Sequence, residues 1–315
     1  MTYLDLSTIP FRELSASDIP NTVLALGNFD GVHIGHRELL RETVQKAKDL
    51  GAFPGVWLFR SPPTDFLKDP PPPHLSTLAD KLGIFRGLGI RYAFIEDFEA
   101  VGSFSPEAFA KDILQIGCHA RHAVCGFNYS FGYRGSGTPA CLMELFDGAV
   151  SEIPPVTKDG YPVSSTRIRA LLIEGEVEKA GELLGRPYSF TAPVLHGKAL
   201  GRTMGFPTIN QNFPPRAVIP KSGIYAVTVR IPEEGEMITR YGVANVGSRP
   251  TVETTNSINC ETYILDFDGD LYGKEVETAF AVRLRDERKM SGIGELRLTI
   301  QNDADTARRV FGLEK

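Results

Sequence analysis

The feature that most constrains the fold is an apolar run that leads through a glycine- and histidine-rich loop into a helix. Residues Thr22–Leu26 predict a buried strand, and residues Gly35–Leu50 predict a helix whose apolar side chains recur at helical spacing. The connecting loop begins at Gly27 and ends at His36. A strand, a tight loop and a helix in this order are typical of a unit that binds a ligand at the helix N-terminus.

The loop reads Gly27-Asn28-Phe29-Asp30-Gly31-Val32-His33-Ile34-Gly35-His36. Its three glycines carry no Cβ, so they let the backbone approach a ligand closely. The free N–H groups and the positive dipole end of the helix favour a phosphate, and His33 and His36 would lie on one face of its first turn. We therefore predict a nucleotide triphosphate site. A zinc pair is the alternative, but no third Cys or His lies nearby at the spacing of metal ligands.

The alternation of short apolar strands and helices continues through the first half of the chain. The predicted strands are Gly55–Phe59, Tyr92–Ile95, Ala123–Cys125 and Val150–Ile153, and the predicted helices are Leu75–Leu88, Pro106–Ile116 and Pro139–Phe146. Ser105 would cap the second of these helices, with Pro106 in its first position. Repeated strand–helix–strand units predict a parallel, doubly wound, Rossmann-like sheet, which binds ligands beyond the carboxyl ends of its strands.

Residues Ser61–His74 are rich in proline and predict a surface loop, since prolines in series favour extended geometry and cannot donate to a sheet. Two interpretations of this loop stay open. It is either a stiff connector or a flap beside the nucleotide site.

Length and composition bound the number of domains and the kind of partner. A chain of 315 residues is long enough for two domains, and we place the boundary between residues 184 and 185, where the short helix Glu176–Leu184 gives way to Gly185-Arg186-Pro187.

The net charge of −5 does not indicate a nucleic-acid partner, and no long apolar span or signal-peptide pattern indicates a membrane. Four scattered cysteines without a Cys-x-x-Cys pair are typical of reduced thiols in the cytoplasm.

From Tyr188 onward the pattern changes to strands separated by turn residues, which predicts a small antiparallel barrel. The predicted strands are Tyr188–Leu195, Gly223–Ile231, Arg240–Val246, Cys260–Phe267 and Val276–Arg283. A helix over Ile293–Phe311, interrupted around Asn302–Ala304, would close the chain.

A second polar motif, Val163-Ser164-Ser165-Thr166-Arg167-Ile168-Arg169, enters a helix that runs through Leu172. N-capping explains one hydroxyl side chain at a helix start. It does not explain two arginines directly after three hydroxyls, which would form a clamp for the oxygens of a triphosphate or pyrophosphate.

The two motifs resemble those of the bacterial bifunctional riboflavin kinase / FAD synthetase family, and the resemblance covers nearly the whole chain. It implies adenylyl transfer, in which the phosphate of FMN attacks the α-phosphorus of ATP, pyrophosphate leaves, and Mg²⁺ offsets the charge. It gives catalytic roles to His36 and Arg169. It assigns nucleotide binding to the rest of the two motifs, namely Gly27, Asn28, Phe29, Asp30, His33, Gly35, Ser164, Ser165, Thr166 and Arg167.

Two segments depart from the family pattern. Phe59-Arg60-Ser61-Pro62-Pro63 lacks the histidine of a Phe-x-Pro-His-Pro-like segment, and Asn128 stands where Asp is usual. Both changes would remove side chains near the flavin phosphate or the nucleotide. A riboflavin kinase with a weakened adenylyltransferase domain is therefore a second hypothesis.

A glycine-rich stretch runs from His196 to Asn210 in the second half of the chain. It is not a P-loop of the familiar kind, and composition alone favours a barrel corner with solvated Lys and Arg side chains. The stretch resembles the riboflavin kinase motif Gly-x-Pro-Thr-Ala-Asn, with Ile209 in place of Ala. The resemblance implies a six-stranded barrel and ligand binding by Gly197, Lys198, Gly201, Arg202, Gly205 and, on the flavin side, Arg285.

The chemistry of the second site would rest on three polar side chains. Thr208 and Asn210 alternate onto one face of an extended segment, which suits joint oxygen coordination of Mg²⁺. A lone Glu in a strand is usually a solvated residue, but by resemblance Glu261 accepts the proton of the riboflavin 5′-hydroxyl. The implied reaction is transfer of the γ-phosphoryl group of ATP to riboflavin.

The implied partners are riboflavin, FMN, FAD, ATP, ADP and pyrophosphate, bound by a monomer or weak homo-oligomer in the cytoplasm, without nucleic acid or membrane. Two further hypotheses stay open: a flavin-binding regulator without turnover, and another nucleotidyltransferase. The presence of Glu261 disfavours the regulator, because binding alone needs no base. The other nucleotidyltransferase would leave the second domain unexplained.

Overall fold

The computed structural model of the protein describes residues 1–7, 12–13, 15–197, 201, 205–233, 235–248 and 258–313. Contacts within the chain divide it into two compact units, Met1–Pro72 with Ser76–Ser165 and Pro73–Leu75 with Thr166–Lys315. The domain boundary after residue 184 stays a prediction. None of the helices in these described ranges is long and apolar enough to cross a membrane.

The first unit is built on a mostly parallel sheet. Its strands are β1 (Thr2–Asp5), β2 (Arg12–Glu13), β3 (Thr22–Leu26), β4 (Phe53–Phe59), β5 (Tyr92–Glu96), β6 (Ala120–Gly126) and β7 (Val150–Ile153), in the order β2-β1-β5-β4-β3-β6-β7. Strands β3 to β7 are parallel, so the predicted doubly wound sheet is confirmed. The antiparallel strands β1 and β2 were not predicted, because a short strand at a sheet edge needs no continuous apolar run.

Alternate residues of the central strands face two separate cores. In β3, Leu24 and Leu26 face one core, which includes Trp57, whereas Val23 and Ala25 face the other. Both faces of the sheet are therefore buried, which explains the unbroken apolar run in β3. A separate hairpin joins β8 (Thr157–Lys158) to β9 (Tyr161–Pro162).

Six helices accompany the first sheet: α1 (Ile34–Asp49), α2 (Thr64–Leu67), α3 (Leu78–Gly87), α4 (Phe98–Val101), α5 (Pro106–Ala108, continued as a π-helix over Phe109–Gly117) and α6 (Pro139–Leu145), counted within the described residues. The Ser105 hydroxyl accepts from the Ala108 N–H at 3.2 Å, so the predicted cap of α5 is confirmed. Helix α3 begins later than predicted because Thr77 and Asp80 form a capping box there. Helix α2 lies inside the proline-rich segment, which was predicted as a loop.

The second unit is a six-stranded antiparallel barrel, as the resemblance implies. Its strands are β10 (Tyr188–Pro193), β11 (Thr208–Asn212), β12 (Gly223–Glu233), β13 (Glu236–Ser248), β14 (Ile258–Ile264) and β15 (Glu275–Arg285), in the order β10-β15-β12-β13-β14-β11. Directly after β10, the N–H of Leu195 donates to the carbonyl of Asn210 at 2.8 Å. This bridge joins the first and last strands and closes the barrel.

Of the helices within the described residues, three belong wholly or mainly to the second unit: α7 (Ser165–Glu174), α8 (Val177–Leu184) and α9 (Ile293–Val310). Helix α8 packs against β15 through a buried apolar face. Helix α9 is continuous, so the predicted interruption around Asn302–Ala304 is wrong. The physical reason is tertiary, because Ala304 and Ala307 are buried against the barrel and hold this part of the helix in place.

Candidate functional site

The glycine–histidine loop lies beyond the carboxyl end of β3, at the switch point of the sheet. The chain turns from β3 toward β4 on one side, and β6 lies on the other side. Ligands of doubly wound sheets bind at this point, since the loops on either side diverge and leave a crevice. The predicted position of the loop is therefore the position found.

The backbone of the loop is strained. Phe29 and Val32 have φ values of 50° and 41°, in the left-handed region that side chains with a Cβ disfavour, and Gly31 between them has φ of 78°. Such non-glycine residues cost about 1–3 kcal/mol each and persist where surrounding contacts fix them. Phe29 is fully buried, and its ring packs edge-on against Phe85 at 5.3 Å. The loop is thus held rigidly in an unusual conformation.

The glycine–histidine loop forms hydrogen bonds with the start of α3 and with the segment that precedes it. The N–H of Gly31 donates to the Ser76 hydroxyl at 2.9 Å, and the N–H of Ser76 donates to the Asp30 carboxylate at 3.3 Å. The ammonium of Lys81 donates to the carbonyl of Asn28 at 3.0 Å. Ser76 and Lys81 were not identified from the sequence, because single polar residues in a helical region are ordinarily solvated.

The two histidines are stacked face to face. Their ring centroids are 3.6 Å apart, and His33 Nδ1 accepts from the N–H of His36 at 3.3 Å. A Cβ on Gly35 would lie 3.3 Å from the His33 ring, so glycine leaves room for this arrangement. The two rings lie together as predicted, but His33 is the extended N-cap residue of α1 and does not belong to its first turn.

Burial makes both imidazoles poor bases. It lowers the pKa of His33 to about 4, with Asp30 opposing the shift. The pKa of His36 is also held well below its ordinary value, first by burial and then by the positive charges that His33 and Lys81 carry when protonated. Both side chains are therefore neutral at pH 7. A neutral imidazole interacts with a phosphate oxygen by donating an N–H group, and not as an ion.

Two polar atoms near the start of α1 are buried without a hydrogen-bond partner among the described residues. They are His36 Nδ1 and Arg37 Nε. Buried polar atoms are ordinarily paired, so an unpaired set at a helix N-terminus suits an anionic ligand. The residues present therefore fit a polyphosphate.

The second polar motif is divided between the two units. Ser164 and Ser165 belong to the first unit, and the Ser165 hydroxyl donates to the carbonyl of Asp30 at 2.9 Å. Thr166, Arg167 and Arg169 belong to the second unit, where Arg169 Nε donates to the carbonyl of Pro73 at 2.7 Å. Contact between the hydroxyl half of the motif and the histidine loop is thus present. The arginine clamp stays a prediction.

Both departures from the family pattern lie at the same edge of the sheet as the loop. Phe59 ends β4, and the segment Arg60–Pro63 follows it. Asn128 follows β6 and is exposed. Since β4 and β6 flank β3, any effect of these substitutions falls on the site of the first unit.

In the second unit, strand register brings the predicted kinase residues together. Asn210 on β11 pairs directly with Glu261 on β14, and Thr208 pairs with Tyr263. Residues that pair across antiparallel strands, and alternate residues along a strand, share one face. Thr208, Asn210 and Glu261 therefore lie on the same face of the sheet, although they are far apart in sequence.

Two asparagines that the sequence did not single out adjoin Glu261. Asn259 Nδ2 donates to a Glu261 carboxylate oxygen at 3.4 Å. Asn245 on β13 pairs with Glu261 on the other side of β14, and its buried Oδ1 accepts no hydrogen bond from the described residues. An open acceptor in this row suits a substrate hydroxyl. Neither asparagine lies in a recognisable motif, so only strand pairing reveals them.

The glycine-rich stretch begins and ends beside this row of residues. His196, next to Gly197, stacks on Tyr272 with ring centroids 3.9 Å apart. The carbonyl of Gly201 accepts from the N–H of Phe206 at 2.9 Å, and Gly205 has φ of 85°, which favours glycine. Lys198 and Arg202 lie outside the described residues.

Arg285 has a partner within the protein. Its guanidinium donates to both carboxylate oxygens of Asp303 on α9, at 2.9 and 2.6 Å, and to the carbonyl of Asp286 at 2.9 Å. This bidentate ion pair fixes the end of β15 to α9. A direct contact between Arg285 and a flavin stays a prediction.

Comparison with known proteins assigns a family to each half of the chain. The family model described as FAD synthetase matches residues 15–167, and the one described as riboflavin kinase matches residues 184–311. The "Bifunctional riboflavin kinase/FMN adenylyltransferase" of Listeria monocytogenes is 36% identical, over 92% of this chain and 93% of that protein. The protein of the same name from Bacillus subtilis is 35% identical, over 92% of each chain.

A solved structure extends the likeness to the fold. It is titled as a macrolide-efflux protein from Streptococcus pneumoniae, is 32% identical, and matches with a TM-score of 0.83 over 93% of this chain and 96% of that one. Two matched family models and relatives above 30% identity over most of the chain leave one assignment. The chain belongs to the family of bifunctional riboflavin kinases/FMN adenylyltransferases.

Proposed function

We propose that the chain phosphorylates riboflavin to FMN in its second unit and adenylylates FMN to FAD in its first unit, with ATP as co-substrate in both steps. The observation that carries this proposal is that each unit holds a cluster of polar side chains suited to one of the two reactions. The histidine loop lies at the switch point of the sheet, and Glu261 pairs with Asn210 across the barrel strands. Family membership supports the same pair of reactions.

In the kinase step, the Glu261 carboxylate accepts the proton of the riboflavin 5′-hydroxyl as that oxygen attacks the γ-phosphorus of ATP. The bond from this phosphorus to the β,γ-bridging oxygen breaks, and ADP leaves. Thr208 and Asn210 offer the hard oxygen atoms that Mg²⁺ prefers, next to Glu261 on the same face. When bound there, Mg²⁺ would supply charge neutralisation at the phosphates.

In the adenylyl transfer step, a phosphate oxygen of FMN attacks the α-phosphorus of ATP, and pyrophosphate leaves. No proton has to be removed from an ionised phosphate, so the protein's main work is to align the two phosphates and offset their charge. Neutral His33 and His36 would donate N–H groups to phosphate oxygens. The N-terminus of α1 adds its free N–H groups and its dipole.

We also propose that the protein works in the cytoplasm as a monomer or weak homo-oligomer, without nucleic acid or membrane. The net charge of −5 supports the absence of a nucleic-acid partner. All four cysteines are free, and three of them are buried, which suits a reducing compartment.

A time course with riboflavin, ATP and Mg²⁺, with FMN and FAD separated by chromatography, tests the proposal. We expect FMN to appear first and then to convert to FAD. If FMN accumulates without FAD, even when FMN is supplied, the first unit has lost or changed its reaction. The substitutions at Phe59–Pro63 and the exposed Asn128 favour that second candidate function. If neither product forms, the enzyme assignment is wrong and a binding protein is left.

A further inference from the structure

A buried lysine lies directly beneath the histidine loop. The side chain of Lys81 on α3 is only 3% exposed, and its ammonium donates to the carbonyl of Asn28 at 3.0 Å. No carboxylate of the described residues lies within 4.0 Å of this ammonium. Lys81 is therefore a buried side chain whose one hydrogen bond, within the part of the chain that the structure describes, is to a neutral carbonyl.

An isolated cation is costly to bury, because water no longer solvates it. The cost appears in the pKa of Lys81, which burial lowers, while Asp30, Asp65 and Asp80 oppose the shift from a greater distance. A protein that needed only a brace for the Asn28 carbonyl would bury a neutral donor at lower cost. An ammonium at this position is stabilised when an anion completes the site.

The two histidines of the loop bring no positive charge to the site. His33 and His36 are buried enough to be neutral at pH 7, so they bring hydrogen-bond donors but no charge to a polyphosphate. The ammonium of Lys81, by contrast, is fixed to the loop by its hydrogen bond and by α3, whose start is set by the capping box at Thr77. In a site shielded from water, a fixed charge acts strongly on an anion several ångströms away.

We propose that Lys81 is a positioning residue for adenylyl transfer, which holds the loop through the Asn28 carbonyl and supplies a fixed positive charge that attracts the polyphosphate of ATP. The inference rests on the proposed adenylyltransferase function of the first unit. Lys81 acts through the loop and through its field. It is not assigned a contact with the reacting atoms.

The test compares Lys81→Met, which keeps the unbranched stem of the side chain and removes the ammonium group, with Lys81→Arg, which keeps the charge. FAD formation from FMN is measured in the full chain as a function of ATP concentration. We expect Lys81→Met to raise the KM for ATP roughly ten- to hundredfold, and Lys81→Arg to recover most of that loss. FMN formation from riboflavin, measured on the same samples, should be unchanged in both variants. Lys48→Met, at an exposed position of α1, is the matched control.

The pH profile separates this role from a merely structural one. The charged groups that lower the pKa of His36 are His33 on the loop and Lys81 on α3. Without the charge of Lys81, the pKa of His36 rises, so His36 becomes protonated at a higher pH. The acid limb of FAD formation should therefore move to higher pH in Lys81→Met and stay in place in Lys81→Arg.

The outcomes are distinguishable. An active wild-type protein beside a Lys81→Met variant with unchanged KM and unchanged acid limb would overturn the inference and leave the proposed function standing. A wild-type protein that makes no FAD would overturn both. If Lys81→Met misfolds and also loses FMN formation, Lys81→Arg is compared with a neutral Lys81→Gln variant. A KM for ATP near that of the wild type in Lys81→Arg supports a role of the charge. A KM as high in Lys81→Arg as in Lys81→Gln contradicts it.

Discussion

The chemical properties of Glu261 and of the two stacked histidines depend on the residues that surround them in the fold. Glu261 lies between Asn210 and Asn245 in a row across three strands, and Asn259 donates to its carboxylate. The hydrogen bond from Asn259 restrains the orientation of the carboxylate, which a general base needs. The same holds for the stacked histidines, because burial lowers the pKa of His33 from 6.5 to about 4 and so keeps its ring neutral at a pH where an exposed histidine is protonated.

Replacing Glu261 by Gln should lower FMN formation about 10²- to 10⁴-fold, because the amide keeps the shape of the side chain but does not accept the hydroxyl proton. Steady-state turnover with saturating riboflavin and ATP measures the effect. FAD formation from supplied FMN should be unchanged. Glu236→Gln, at an exposed position of β13, is the matched control. Unchanged FMN formation in Glu261→Gln would remove this residue from the mechanism.

Burial of His33 should make the stability of the first unit depend on pH. The folded pKa of about 4 lies below the ordinary value of 6.5, so the unfolded chain binds more protons between these values. Stability is therefore complete above pH 6.5 and is lost as the pH falls toward 4. His33 alone should contribute roughly 2 kcal/mol of difference between pH 7.5 and pH 5.

Urea unfolding at the two pH values, followed by the fluorescence of the single tryptophan Trp57 in the first unit, measures this difference. The variant His33→Asn keeps a capping oxygen for the N–H of His36 but does not titrate in this range. The free energy of unfolding of His33→Asn should therefore differ less between the two pH values than that of the wild type, by roughly 2 kcal/mol. An equal pH dependence in both proteins would contradict the predicted role of His33.

At the scale of elements, the strand that carries Thr208 and Asn210 is held in the barrel by one buried side chain. Gln211 Nε2 donates to the carbonyls of Ala192 and Val276 at 2.9 and 2.8 Å. Its Oε1 accepts from the Thr278 hydroxyl at 2.7 Å. The amide thus joins β11 to β10 and β15 with every bond satisfied.

Replacing Gln211 by Leu should lower the free energy of unfolding of the barrel by about 2–4 kcal/mol, because it removes three buried hydrogen bonds, including the one that the Thr278 hydroxyl donates. Denaturant unfolding followed by far-ultraviolet circular dichroism measures this loss. Gln301→Leu, at an exposed position of α9, should change stability by less than about 0.5 kcal/mol. A Gln211 variant as stable as the Gln301 variant would show that the network contributes nothing.

At the scale of the whole molecule, two units with separate cores carry the two predicted sites. The first unit holds the histidine loop on its sheet, and the second unit brings Glu261 and Asn210 together in the barrel. Such an arrangement lets each reaction be removed without the other.

Replacing His36 by Ala should abolish FAD formation and spare FMN formation, because it removes a donor from the first site only. A mixture of the His36→Ala and Glu261→Gln proteins should then make FAD from riboflavin. The His36→Ala protein makes and releases FMN, and the Glu261→Gln protein binds that FMN and converts it to FAD. Chromatography of the products tests both statements. Loss of FMN formation in His36→Ala would show that the two units do not act independently.

The sequence by itself determined the order of strands and helices, the cap at Ser105 and the position of the histidine loop at the carboxyl edge of the sheet. These features depend on side-chain periodicity, caps and glycine positions, which are properties of neighbouring residues. The strands β1 and β2 were missed because they carry no continuous apolar run, and the unbroken helix α9 was missed because distant barrel residues stabilise it.

Only the tertiary structure decided which residues meet. Lys81 is 53 residues from Asn28, and nothing in its local pattern distinguishes it from a solvated helical lysine. The pairing of Glu261 with both Asn210 and Asn245 follows from strand register across the barrel. Register and burial are set by contacts between distant parts of the chain. The sequence motifs therefore indicate the candidate residues, and the tertiary structure determines which of them lie together.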